Sequence, residues 1–173
     1  DPVRTTTQPQ TPAAVLIQAP VSVSPAMAQE QADITEQVLA KYPASAQEIV
    51  ANFTPPANAT AYYAVPGAAP AIQVETIKGL FFTVQVGVYS KPVALDKLFN
   101  LNELNSERTE TGKIRYTTGR YADTEQARVR KERSVSQGVK DAFVTAYLNG
   151  RRIPVQEAAV LLQRFGPEIL AKP

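Results

Sequence analysis

The chain has 173 residues, a formal net charge of +2 and a hydrophobic share of 44%, with neither Cys nor His. That length allows one domain and a smaller piece. Lacking Cys and His, the chain has no disulfides or thiol chemistry and is without the commonest general base and metal ligand.

The small net charge conceals a division. Residues 1–74 carry two basic and five acidic side chains, a net of −3, whereas residues 75–173 carry sixteen and eleven, a net of +5. Ten of the fourteen Pro precede Ala71, and every Gly except Gly67 follows it. The excess is too mild to require a nucleic-acid partner. No run approaches the ~18 apolar residues of a membrane span; the longest candidate, residues 13–23, is broken by Gln18 and Pro20. The start Asp1-Pro2-Val3 has neither Met nor a basic leader, so it reads as a mature or excised fragment.

In chain order, residues 1–28 are a Thr-, Gln-, Pro- and Ala-rich linker without periodicity. Residues 29–53 read as short helices. Ile34, Val38 and Leu39 make one apolar stripe that Pro43 terminates, and Ser45 with Glu48 forms a capping box before Ile49, Val50 and Phe53. Residues 54–71 are a second, Pro- and Ala-rich linker. Within the body at 72–153, residues 81–90 alternate as a strand, with Phe82, Val84, Val86 and Val88 on one side and Thr83, Gln85, Gly87 and Tyr89 on the other. Ser90-Lys91-Pro92 caps a short helix that carries Leu95, Leu98 and Phe99 and ends near Leu101. Residues 106–111 form an edge strand, turned by Gly112-Lys113 into a second central strand at 114–121. There parity places Ile114, Tyr116 and Thr118 against Arg115, Thr117, Gly119 and Tyr121. Asp123 opens a helix over 124–137 that Gly138 closes, residues 142–147 are the last strand, and Asn149-Gly150 is a turn. Residues 154–173 are an added amphipathic helix and tail.

This order predicts an α+β fold: a ferredoxin-like βαββαβ sheet with helices on one face, plus an added C-terminal helix and an extended, partly helical N-terminal arm. The sheet's other face stays open. Layout alone does not name a function.

Four phrases narrow the reading: residues 82–90, residues 115–121, the helix holding Glu125-Gln126-Ala127, and residues 138–153 with Asp141-Ala142-Phe143-Val144 and Asn149-Gly150-Arg151-Arg152-Ile153. In this order they resemble the SPOR (sporulation-related repeat) domain, in the version found in Bacteroidota, over about residues 80–153. The chain departs from that family in a shorter first helix and a longer, Asn-rich connection at 100–106. The resemblance implies a non-catalytic module of the bacterial periplasm and envelope, without cofactor or metal. It implies binding of peptidoglycan glycan strands stripped of their stem peptides, and recruitment of a host protein to division sites or wall-remodelling machinery. Envelope proteins are further expected partners through the N-terminal arm, and no nucleic acid is expected.

The open face offers suitable chemistry: amide, hydroxyl and guanidinium groups match sugar hydroxyls and acetamido groups, and Tyr rings lie against sugar rings. The expected glycan-binding residues are Gln85, Gly87, Tyr89, Ser90, Arg115, Thr117 and Tyr121. Several have a plainer role. Gln85 and Thr117 fit a solvated sheet face, Gly87 and Gly119 fit bulges, and Arg115 fits a pair with Glu107 or Glu110. Arg128, Arg130, Lys131 and Arg133 read as a solvated helix face. No phosphate loop, metal spacing or nucleophile elbow appears. An RNA-recognition reading shares the layout but expects stacking aromatics where Gln85, Arg115 and Thr117 stand. A third reading is a structural adaptor docking another envelope protein.

Overall fold

The computed structural model describes residues 24–56 and 65–172. The linker readings for residues 1–23 and 57–64 lie outside them. The described residues form an α+β structure with four α-helices and a six-stranded mixed sheet.

Two short helices come first. Helix α1 (Pro25–Ala40) begins earlier than the apolar stripe suggests, because the Ser24 hydroxyl accepts from Met27 N–H and Pro25 occupies the first turn. Helix α2 (Ala46–Ala51) is capped by Ser45, whose hydroxyl accepts from Glu48 N–H as the capping box requires. The sheet then contains β1 (Ile72–Gln73), β2 (Leu80–Tyr89), β3 (Leu104–Arg108), β4 (Ile114–Tyr121), β5 (Phe143–Leu148) and β6 (Arg151–Ile153). Its order is β1-β3-β4-β2-β5-β6; the β1–β3 pair is parallel and the others are antiparallel. Helix α3 (Thr124–Ser136), capped by Asp123, joins β4 to β5, and α4 (Val155–Phe165) follows β6.

The predicted helix after β2 is a correction. Only a 3₁₀ turn, Leu95–Leu98, forms there, because Phe99 adopts the left-handed conformation (φ 56°) and ends it. Asn100 and Glu103 follow at φ 54° and 53°, so the connection runs in tight left-handed steps. The edge strand also sits earlier than expected, at Leu104–Arg108 and not 106–111. The segment predicted as a turn after β5 continues into a further short strand, β6.

All four helices bear on one side of the sheet. Leu80, Phe82, Ala146 and Leu148 meet Ala127 of α3, Ala158 and Leu161 of α4, and Val38 and Ile49 of the two leading helices. Tyr42, just after α1, donates its hydroxyl proton to buried Glu157 of α4, and Asn149 Nδ2 donates to Ile49 O at 2.7 Å. The N-terminal helices therefore pack on the main body. A second cluster on the same side joins Val86, Leu98, Leu101, Ile114 and Tyr116.

Candidate functional site

The opposite face of the sheet divides into two ends. At one end, the stretch after β1 crosses above the strands as a 3₁₀ turn, Val74–Thr76. Its anchors are at both edges: Glu75 Oε1 accepts from Arg108 N–H at 2.7 Å, and the Glu75 and Val74 backbone lies against Gly150. Gly150 has φ +79° and no room for a Cβ, so Gly is required for this close approach. Beneath, Val74, Ile77, Phe81 and Tyr147 form a small apolar cluster closed by Ala171, with the Phe81 and Tyr147 rings stacked at 5.4 Å. The face expected to be open is covered at this end.

Under and beside that cover, polar side chains satisfy one another. Thr117 is fully buried, and its hydroxyl accepts from Asn105 Nδ2 at 3.2 Å; Asn105 also donates to Gly119 O. Thr83 Oγ1 donates to Thr118 O. Tyr147 reaches across the two intervening strands to donate to Glu107 Oε2 at 2.6 Å, and the same oxygen receives Arg115 at 2.6 Å. Burial followed by the Glu107 charge pushes the Tyr147 pKa well above its ordinary value. Burial acts to lower that of Arg115, but the hydrogen bond and charge of Glu107 outweigh it and hold the guanidinium above its usual range.

The other end is a cleft of about 1170 Å³. Val88, Arg115 and Thr145 line its floor, the β3–β4 hairpin around Thr109–Lys113 forms one wall, and Gly150–Val155 forms the other. Its lining mixes the cations Lys113, Arg115 and Arg152 with the acids Glu75, Glu107 and Glu110; Arg108 and Arg151 also border it, but they stand in register with Ile114 and Leu148 of the helix-side core.

The seven expected site residues do not come together. Gln85 lies on this face, half-buried between Thr117 and Phe143 in register, and its Oε1 is buried without a partner among the described residues. Arg115 lies on this face as well, but it is ion-paired to Glu107, the plainer role foreseen for it. Thr117 is a correction: buried and bonded to Asn105, it has no surface to offer a ligand.

Tyr89 and Tyr121 are corrections too, on the helix side of the sheet. A register shift between Gln85 and Gly87 inserts an extra residue into β2, so Val88 faces the cleft opposite Arg115 and Tyr89 packs edge-on against Tyr116 at 5.8 Å. A second shift, opposite Phe82 and Val84, turns β4 at Gly119 (φ +78°), and Tyr121 joins the helix-side core. Each glycine leaves space for the tyrosine ring two residues on: a Cβ at Gly87 or Gly119 would meet the ring of Tyr89 or Tyr121. Gly87 thus makes room for a side chain of its own protein, not for a ligand. Ser90 is exposed at the end of β2.

Two features escaped the sequence reading. Arg130, expected on a solvated helix face, is buried and donates to Asn102 O, Asn102 Oδ1 and Thr118 Oγ1 at 3.2, 2.5 and 2.8 Å. Its spacing from buried Ala127 and Ser134 is the signal that could have found it. Arg152 carries much of the cleft's free charge, and nothing local marks it, because β6 exists only by pairing with β5.

Among the described residues, no group of three His, Cys, Asp or Glu side chains could hold a metal ion, and no helix is long and apolar enough to cross a membrane. Comparison with protein-family models, curated proteins and solved structures gives no significant match.

Proposed function

We propose that this protein is a non-catalytic, SPOR-like module of the bacterial cell envelope that binds peptidoglycan glycan strands lacking stem peptides, and so localises a host protein or complex. The observation that carries the reading is the cleft on the helix-free face, lined by both charged and apolar residues, in the region where the sequence phrases resemble that family. The strand order β3-β4-β2-β5, with parallel crossovers through the 3₁₀ turn and through α3, supports a ferredoxin-like core to which β1, β6 and α4 are additions. A stripped glycan offers hydroxyls, acetamido groups and apolar ring faces. Val88, 42% exposed, would meet a ring face, and Arg115 and Arg152 would donate to sugar hydroxyls and acetamido oxygens. The contact set is thereby moved from the seven residues expected to Val88, Lys113, Arg115 and Arg152.

Co-sedimentation with purified sacculi tests this. The protein should pellet with amidase-treated sacculi and stay in solution with intact ones. Equal retention on both, or on neither, removes the reading.

The covered end of the face favours a second reading, a structural adaptor, because it leaves a narrower ligand surface than a fully open sheet. Failure to bind stripped sacculi would favour it.

A further inference from the structure

We propose that the cleft selects for a carboxylate carried by the sugar polymer, with Arg152 as the principal receptor and Lys113 on the facing wall; this rests on the glycan-binding reading above. Arg152 is held in place before any ligand arrives. Its Nε donates to Thr145 Oγ1 at 3.0 Å, and its guanidinium carbon sits 5.8 Å from the centre of the Phe143 ring. The two contacts fix the plane of the group and occupy one of its five N–H donors, leaving the fork that pairs with a carboxylate through two parallel bonds. The ion pairs among the described residues involve neither Arg152 nor Lys113. Glu107, largely buried at the cleft floor, is already occupied by Arg115 and Tyr147, so it does not compete for Arg152.

The ligand chemistry follows from how a strand is stripped. A stem peptide is joined to the sugar's lactyl group through an amide. Amidase hydrolysis adds hydroxide from water to the acyl carbon, releases the peptide amine with the proton, and leaves a carboxylate on the glycan. Stripping therefore removes bulk and also replaces a neutral amide oxygen by an anion with two equivalent acceptors. A preset guanidinium distinguishes these states, since it can bond the carboxylate at two points and the amide oxygen at one.

The test uses the full chain and amidase-stripped sacculi, half of them treated with carbodiimide and ethanolamine to convert the carboxylates into neutral amides. Affinity for the neutralised sacculi should be lower by about tenfold, the factor equivalent to one charge-assisted contact. Arg152→Gln should lose about the same factor on untreated stripped sacculi and become indifferent to neutralisation, while Arg152→Lys recovers only part of it. Equal binding of the wild-type protein to both preparations overturns the carboxylate proposal while leaving glycan binding intact. Binding to neither preparation overturns the glycan reading itself. The wild-type comparison needs no substitution, so a variant that folds poorly does not obscure the answer.

Discussion

The two ends of the helix-free sheet face use similar side chains to opposite ends. Beneath residues 74–77, hydroxyls, amides and rings are turned on one another: Thr117 on Asn105, Phe81 on Tyr147, Tyr147 on Glu107. At the cleft end, Val88, Phe143 and Arg152 remain exposed, and Arg152 keeps most of its donors free. Burying a polar group demands a partner, and the pairs made beneath the cover meet that demand for Thr117, Asn105 and Tyr147, so this end is a stabilising element. The open end holds groups whose partners are solvent or a ligand. Arg115 and Glu107 mark the border, for their pair is mostly buried while Arg115 still reaches the cleft.

The sharpest way to break this contrast is to empty the covered end. Tyr147→Ala removes the stacked ring and the hydrogen bond to Glu107, and should destabilise the protein by about 3–5 kcal/mol in urea unfolding. A loss below ~1 kcal/mol would mean the crossing segment is only loosely seated. At the border, Glu107→Gln should cost about 1.5–3 kcal/mol by stranding the Arg115 guanidinium. The double variant with Arg115→Met should recover part of that loss, measured as a coupling energy in a double-mutant cycle.

A smaller effect should appear at high pH. Tyr147 and Tyr42 both have raised pKa values, through burial and then their carboxylate partners. The folded chain thus keeps tyrosine protons that the unfolded chain gives up. Stability should be full below the ordinary tyrosine value of 10.0 and fall as pH climbs past it. Tyr147→Phe should flatten that alkaline fall in thermal melts at stepped pH; an unchanged slope would show that the covered end is not what keeps the proton.

Much of the scaffold was legible because its signals are local. Pro43 ends the first helical stretch, Ser45 and Asp123 cap as their spacing implies, and the alternation in β2 and β4 marks two central strands. The candidate site was less so, and for a definite reason. Parity assigns faces correctly only while strands stay in register, and a bulge exists only relative to a partner strand. Gly87 and Gly119 hinted at irregularity, but the sequence does not say on which side Tyr89 and Tyr121 would emerge. The burial of Thr117 depends on Glu75 meeting Arg108 and Gly150, contacts made across long stretches of chain. Local pattern carries no trace of them.

The seating of α1 and α2 has a consequence of its own. They rest on the helical layer, against α4, while the cleft opens through the far side of the sheet. The molecule is thus two-sided, like a wall bracket. Anything joined to the leading helices therefore stands behind the sheet, with the full thickness of the strands between it and the cleft.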